Sequence, residues 1–283
     1  MKCGISMSEQ ALSEQIENIL VERNLRGMKD LQPQLTPGYC LRAAQVLKSI
    51  KGTVLIGTGF PVANTFETDG PVGALILYRA LETLGATPVL VCGTPMANAF
   101  QYDYRVCILS IGKKNIGLAE AKRALAHFQP QAVISIERPG LAENGCYYNM
   151  RGEDISSQTA CFDFIMDEAD CPTIAIGDGG NEIGMGNIKD FLAPLDIIPA
   201  VTQCDELIIS DVSNWSVYGI LAFLSIWSKH DLLSDAFPEK ILKYISNLGS
   251  VDGVTRKNEL TEDSLPASEG IALIARLRVL IGY

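Results

Sequence analysis

Histidine is nearly absent from this sequence, which has only His127 and His230 among its 283 residues. A zinc site built from several histidines is therefore excluded, because zinc sites in proteins need three or four nitrogen or sulfur ligands. The eight cysteines include no C-x-x-C pair, and most lie within apolar runs. We therefore expect free and largely buried thiols rather than a disulfide framework.

Basic clusters and long apolar runs are also missing. No basic run is longer than Lys113-Lys114 and the net charge is −10, so we expect no nucleic-acid partner. The longest apolar stretch, residues 218–227, is too short to span a membrane. The first 28 residues lack the apolar segment of a secretion signal and carry four glutamates, which argues against a transit peptide. These features predict a cytoplasmic protein without a membrane partner.

Three common catalytic signatures are absent as well. Gly57-Thr58-Gly59 follows a predicted strand, but it lacks the third glycine of a dinucleotide fingerprint. No lysine follows it in the phosphate-loop pattern, and the sequence contains no G-x-S-x-G elbow. We therefore expect no nucleotide cofactor.

Short apolar runs alternate with helical patterns along the chain. Strands are predicted at 53–56, 88–91, 106–110, 132–136, 173–176 and 207–209, and helices at 72–84, 116–128, 161–169, 217–228, 239–247 and 268–280. Such alternation is typical of a mostly parallel sheet with helices on both faces. We predict a single α/β domain over residues 1–283, with a Rossmann-like three-layer fold and a helical lead-in at about 8–49. Long active-site loops are expected at the carboxyl ends of the strands.

A glycine-rich segment, GDGGNEIGMGN at 177–187, follows the predicted strand 173–176. Its five glycines are Gly177, Gly179, Gly180, Gly184 and Gly186. Glycine has no side chain to bury, so a cluster of glycines indicates sharp turns or backbone that touches a ligand. Because ligands of open α/β sheets bind at the carboxyl ends of the strands, we predict that this loop forms the floor of an active site.

Two carboxylates in that loop, Asp178 and Glu182, lie four residues apart across a glycine turn. This spacing can direct both into one space, where they would share a proton or a cation. Oxygen ligands without histidine or cysteine favour Mg²⁺ or Mn²⁺ over Zn²⁺. Asp178 and Glu182 are therefore the first candidates for catalysis and for metal binding. The alternative is a tight turn in which Asp178 accepts backbone N–H bonds.

Glu67 and Asp69, before the predicted helix 72–84, are the second pair of candidate catalytic residues. For Asp69 the alternative is a cap on that helix, whose first amides and dipole favour a carboxylate. Glu67 lies farther from the helix and would gain less from capping.

Arginines and amides complete the set of candidate residues. Arg138 and Arg151 are candidate anion clamps, because a guanidinium matches the geometry of carboxylate and phosphate. The alternative is an ion pair with the neighbouring Glu137 or Glu153. The candidate substrate-binding amides are Asn149, Asn181 and Asn214.

Several of these segments resemble the C-terminal domain of the D-glutamate cyclase family. They are ETDGPVGA at 67–74, ERPG at 137–140, YNMRG at 148–152, the glycine-rich segment at 177–187, SNW at 213–215 and VDGVT at 251–255. The resemblance covers about residues 10–283.

The resemblance implies a hydro-lyase that converts D-glutamate to 5-oxo-D-proline and water, with a small anionic amino acid as its partner. For such a reaction, Mg²⁺ or Mn²⁺ on the carboxylate loop, or Arg151, would neutralise the attacked carboxylate. In the animal mitochondrial protein this domain follows a separate N-terminal domain, so the present chain resembles a stand-alone version. Two alternatives stay open: a metal-assisted hydrolase or lyase acting on another small carboxylated or phosphorylated metabolite, and a non-catalytic amino-acid-binding module. A homo-oligomer is compatible with all three.

Overall fold

The computed structural model describes residues 8–283. Its α-helices are α1 (Glu9–Leu20), α2 (Met28–Leu31), α3 (Tyr39–Leu47), α4 (Pro71–Thr83), α5 (Met96–Phe100), α6 (Lys114–Phe128), α7 (Asp163–Asp167), α8 (Ser213–Ser228), α9 (Pro238–Asn247) and α10 (Ala267–Ile281). Its strands are β1 (Thr53–Thr58), β2 (Pro61–Val62), β3 (Thr65–Phe66), β4 (Thr87–Cys92), β5 (Val106–Ile108), β6 (Ala132–Ile136), β7 (Thr173–Gly177), β8 (Glu206–Ile209), β9 (Thr261–Glu262) and β10 (Leu265–Pro266). Short 3-10 helices lie at Gln32–Gln34, Ser156–Gln158 and Met185–Phe191.

Six strands form one parallel sheet in the order β5-β4-β1-β6-β7-β8. Every residue of β6 and β7 is buried, as expected for strands covered on both faces. Helices α4, α8, α9 and α10 pack on one another, and α6 packs against α7. The predicted three-layer α/β fold is therefore confirmed. The other four strands pair as two short antiparallel hairpins, β2–β3 and β9–β10.

The strand order reverses beside β1. The chain passes from β1 outward to β4 and β5, and then returns across β1 to β6, β7 and β8. In open α/β sheets, ligands bind at the carboxyl ends of the strands where the order reverses. The loops that follow β1, β6 and β7 therefore start from three adjacent strands at this point.

The N-terminal helices belong to the same packed unit as the sheet. Ser8 caps α1, because its Oγ accepts the N–H of Ala11 at 3.1 Å. Helix α1 ends at Leu20, and α1 and α3, both within the predicted helical lead-in, pack against α8. Cys3 and the other residues before Ser8 lie outside the described part of the chain, so the thiol predicted for Cys3 is not described.

Helix α8 begins four residues earlier than the sequence pattern predicts, at Ser213 instead of 217. Residues 213–225 of this helix are all buried, because helices pack around it on several sides. The polar SNW segment is therefore its first turn rather than a loop before it. The seven cysteines within residues 8–283 are all free, and three of them are buried. In that same range no helix has the length and apolar character that crossing a membrane requires.

Candidate active site

A cavity of about 230 Å³ lies beside the carboxyl ends of β1, β6 and β7. Residues 60–67, 137, 149–158 and 181–182, from the three loops that follow these strands, line most of it. Arg26 and the segment 253–263 complete its wall. The loops that carry most of the predicted polar residues thus meet around one space, as strand adjacency at the point of reversal requires. Its volume lies below the roughly 300–1,000 Å³ of drug-sized pockets, so it suits a small metabolite.

Six carboxylates, here called the acidic cluster, lie at or next to the inner end of this cavity. They are Glu67, Asp69, Glu137, Asp178, Glu182 and Asp263, and each is more than nine-tenths buried. Four of them line the cavity, whereas Asp69 and Asp178 lie outside its lining and reach it through Glu137. Asp69, Glu137 and Asp178 form an acidic trio within the cluster, because one oxygen from each lies within 4.8 Å of the other two. Three close carboxylate oxygens are a donor set suited to a hard divalent cation such as Mg²⁺ or Mn²⁺.

The fold brings the trio together from distant parts of the sequence. Asp69 precedes α4, while Glu137 and Asp178 are the first residues after the adjacent strands β6 and β7. The backbone of Glu137 has a φ of +41°, a left-handed value that is uncommon for a residue with a side chain. This conformation lies directly beside the cavity, where strained backbone is often found in functional sites.

The N-terminus of α8 faces the trio. Asp69 accepts the backbone N–H groups of Ser213 at 2.9 Å and Asn214 at 2.8 Å. Asp178 accepts the same Ser213 N–H at 3.2 Å, and the hydroxyl of Ser213 donates to Glu137 at 2.5 Å. The free amides and the dipole of a helix N-terminus favour negative charge. Helix α8 therefore contributes to holding three acids in one place.

Arg26 supplies the cation that contacts this cluster, and sequence reasoning missed it. Its guanidinium forms ion pairs with Asp178 and with Asp263. Arg26 lies in the short segment between α1 and α2, without a motif around it, so only the tertiary structure reveals its contact with the acids. Asp263 was missed as well. Ser213 and Glu137 stand in the SNW and ERPG segments, but neither was among the predicted site residues.

Burial raises the pKa of several carboxyl groups in and beside the cluster. The pKa lies well above its ordinary value for Glu67, Glu137 and Asp178, and neighbouring carboxylates reinforce the effect. Burial raises the pKa of Asp69 to about 7 and that of the adjacent Glu262 to about 8. So many buried acids cannot all ionise against one guanidinium, and they need protons or a further cation.

Glu182 has a different environment from the one that its spacing predicted. Its two carboxylate oxygens accept the backbone N–H groups of Gly179 at 2.9 Å and Gly180 at 2.6 Å. The tight turn considered for Asp178 is therefore closed by Glu182. Asp178 has Asp69 and Glu137 as its close carboxylate neighbours, so the geometry assigns it to the trio rather than to a metal-binding pair with Glu182.

The glycines of the 177–187 loop serve turns and close packing. Gly180 and Gly184 have φ values of +108° and +95°. A Cβ on Gly186 would lie 2.1 Å from the carbonyl oxygen of Val201, and one on Gly177 or Gly179 would lie within 3.0 Å of a neighbouring side-chain atom. Glu182 accepts the Gly179 and Gly180 N–H groups, so these are not free to bind a ligand. The residues of the loop that line the cavity are Asn181 and Glu182.

The two predicted anion clamps have different positions. Arg138 is buried and is not among the residues that line the cavity. Its guanidinium donates to the carbonyl oxygens of Thr58 at 2.8 Å and Ala160 at 2.7 Å, so it joins the end of β1 to a later loop. Arg151 does line the cavity. The alternative considered for Arg151 was an ion pair with Glu153. Glu153 instead pairs with Arg256, a cavity residue that sequence reasoning also missed.

The three predicted amides also separate. Asn149 and Asn181 line the cavity, and Asn181 Nδ2 donates to the carbonyl oxygen of Tyr148 at 2.8 Å. Asn149 Oδ1 accepts the N–H of Arg151 at 2.9 Å. Asn214 lies outside the cavity lining, because its side chain contacts the first turn of α4 instead.

Comparison with known proteins shows the family of this chain. Residues 16–278 match the family model described as D-glutamate cyclase-like, C-terminal. The chain belongs to this family. Human mitochondrial D-glutamate cyclase is 31% identical over an alignment of 201 positions, and the alignment covers 62% of this chain and 33% of the human protein. The chain therefore spans about one third of that curated relative. The resemblance inferred from the sequence segments is confirmed.

Among solved structures, an exopolyphosphatase-related protein from Bacteroides fragilis is similar with a TM-score of 0.45 and 9% identity. The match covers 87% of this chain and 61% of that one. This likeness is too weak to carry an argument about function.

Proposed function

We propose that this member of the D-glutamate cyclase-like family is a lyase that converts D-glutamate to 5-oxo-D-proline and water. The observation that carries the proposal is the acidic cluster, buried at the inner end of a small cavity and in contact with Arg26. Family membership supports the reaction type. The cavity volume supports a substrate of amino-acid size.

The residues of the trio fit a bound Mg²⁺ or Mn²⁺. Asp69, Glu137 and Asp178 offer only oxygen donors, and burial raises the pKa of each, which marks an excess of negative charge. A divalent cation there would neutralise that charge and polarise a substrate carboxylate. Arg26 and the Ser213 N–H orient Asp178 for this role, and the Ser213 hydroxyl orients Glu137.

Glu67 is the group best placed to take protons from the substrate amine. It lines the cavity, and its Oε1 is buried without a hydrogen-bond partner among the described residues. Burial, followed by the nearby Asp263 and Asp69, raises its pKa well above the ordinary value. A carboxylate of raised pKa is a stronger base, which suits removal of a proton from an ammonium group.

The proposed reaction balances without a further reactant. The α-amine nitrogen attacks the carbon of the side-chain carboxylate, so that a C–N bond forms and a C–O bond breaks. The ammonium loses two protons overall, and both end on the departing oxygen, which leaves as water. Glu67 would carry these protons from the nitrogen to the oxygen, and a divalent cation held by the trio would supply the positive charge that offsets the charge on the leaving oxygen.

The test is turnover by the metal-stripped protein with D- or L-glutamate, with and without Mn²⁺ or Mg²⁺, followed as 5-oxoproline by mass spectrometry. We expect metal-dependent product from the D-isomer. Glu67→Gln and Asp178→Asn should each lower turnover about 100-fold or more, while exposed Glu143→Gln should leave it unchanged. A folded protein that forms no product from either isomer would refute the proposed function.

A further inference from the structure

Residues of both charges line the cavity. Acids of the acidic cluster are buried in its wall, whereas Arg151 and Arg256 line it from two exposed loops. Building on the proposed function, we propose that Arg256, together with Arg151, binds the α-carboxylate of the substrate. The site would thereby select small amino acids with a free α-carboxylate, oriented with the side-chain carboxylate towards the trio.

Arg256 stands on a turn whose position is firmly held. Asp252 is completely buried, and its Oδ1 accepts the N–H groups of Val254 at 2.9 Å and Thr255 at 2.8 Å. Its Oδ2 accepts the hydroxyl of Thr261 and the N–H of Ser264, both at 2.7 Å. An arginine presented by such a turn is placed before the ligand arrives, which lowers the entropic cost of binding.

The same turn touches the proposed base. A Cβ on Gly253 would lie 2.0 Å from Glu67 Oε2, so the absence of a side chain at 253 lets this carboxylate lie against the turn. The group that would receive the ammonium and the segment that carries Arg256 are therefore neighbours. An α-amino acid has its ammonium and carboxylate on one carbon, and this arrangement of an acid beside an arginine-bearing turn matches that geometry.

Two contacts join the loops across the cavity. Arg256 donates to the carboxylate of Glu153 at 2.7 Å, and Arg151 donates to the carbonyl oxygen of Val254 at 2.9 Å. Each contact uses only one terminal nitrogen of the guanidinium in the described structure. Arginine has five N–H donors, so both side chains keep donors for a second carboxylate. Arg256 already holds one carboxylate, that of Glu153, in this position.

The test compares two ligands that differ only in the α-carboxylate. D-Glutamate carries it, and 4-aminobutyrate has the same amine and distal carboxylate without it. Their dissociation constants would be measured by calorimetry with Mg²⁺ present, for the wild-type protein, Arg256→Gln, Arg151→Gln and Lys257→Gln. Lys257 is the matched control, because it lies on the same segment and its side chain is 71% exposed.

We expect Arg256→Gln to weaken D-glutamate binding about 10–100-fold, the loss that corresponds to one charge-assisted contact. Arg151→Gln should weaken it too, whereas 4-aminobutyrate binding should stay within about twofold in all three variants. Equal weakening of both ligands would assign Arg256 to loop structure alone and overturn the inference, as would unchanged D-glutamate binding.

Binding and turnover separate this inference from the proposed function. D-Glutamate binding that depends on Arg256, in a protein that forms no 5-oxoproline, would support the inference and refute the cyclase reaction. Turnover of D-glutamate by the wild-type protein, with the dissociation constant and KM unchanged in Arg256→Gln, would support the cyclase reaction and refute the inference. A wild-type protein that binds neither ligand would overturn both.

Discussion

Asp69 and Asn214 cap each other's helices: Asp69, just before α4, caps α8, and Asn214, in the first turn of α8, caps α4. The carboxylate of Asp69 accepts the first N–H groups of α8, from Ser213 and Asn214. In return, Asn214 Oδ1 accepts the N–H groups of Gly70 at 2.9 Å and Gly73 at 2.6 Å, at the start of α4. This reciprocal capping fixes two helix N-termini around the acidic trio. The cap considered for Asp69 thus acts on a different helix from the one that follows it in sequence.

Replacement of Asn214 tests this relationship. Asn214→Ala leaves the buried Gly73 N–H without its acceptor and leaves the Gly70 N–H with Asp69 Oδ1 alone. We expect it to lower the free energy of unfolding by about 2 kcal/mol or more. Urea unfolding followed by circular dichroism measures the change. Ser8→Ala, which removes one exposed cap from α1, is the control and should cost about 1 kcal/mol. Equal effects of the two changes would contradict the reciprocal cap.

Arg138 is expected to matter for stability rather than for substrate binding. Because its guanidinium donates to the carbonyl oxygens of Thr58 and Ala160, Arg138→Met should lower the free energy of unfolding by about 2–3 kcal/mol. The KM for D-glutamate should change less than about twofold. A folded variant of unchanged stability whose KM rises tenfold would instead support the anion clamp that the sequence suggested.

Two glycines in the site should respond differently to alanine. The Cβ of Gly186→Ala would meet the backbone oxygen of Val201 at 2.1 Å, so we expect a loss of about 3 kcal/mol or more in stability. The Cβ of Gly253→Ala would meet the end of the Glu67 side chain, which can move. This second variant should fold and lose turnover. Thermal unfolding and product formation distinguish the two, and a stable, fully active Gly253→Ala would exclude Glu67 as the base.

The metal-free protein should become less stable as the pH rises from about 4 to 8. The pKa of Asp69 rises from 3.8 to about 7 on folding and that of Glu262 from 4.5 to about 8, mainly through burial. An acid whose pKa is raised on folding stabilises the folded state below its unfolded pKa, and that contribution is lost as the pH passes the folded value. Tm measured from pH 5 to 8 checks the direction.

Divalent cations should offset this loss. Mn²⁺ or Mg²⁺ bound by the ionised trio would stabilise the folded protein by mass action, more at pH 8 than at pH 5, because protons compete for the same oxygens. Asp178→Asn should remove most of the increase in Tm. An increase that is independent of pH and persists in this variant would place the cation elsewhere.

The sequence alone predicted the α/β class and most elements, because apolar strands and amphipathic helices are local patterns. It placed β6 at 132–136 without error, whereas it began α8 too late, since the polar Ser213 and Asn214 look like loop residues until their tertiary partners are known. The sequence did not predict the short helices α2 and α5 or the two hairpins, because each has too few residues to show a periodic pattern of apolar side chains.

For the site, the sequence identified the loops and most of the acids, because runs of glycine and carboxylate are unusual in any packed structure. Only the tertiary structure decided which acids share a space, that Arg26 forms ion pairs with two of them, and that Arg256 lines the same cavity. It also showed that Arg138 and Asn214 form hydrogen bonds with backbone groups instead of lining the cavity. The reason is physical: a carboxylate acts through neighbours within a few ångströms, and tertiary packing brings those neighbours together from positions as far apart as 26 and 263.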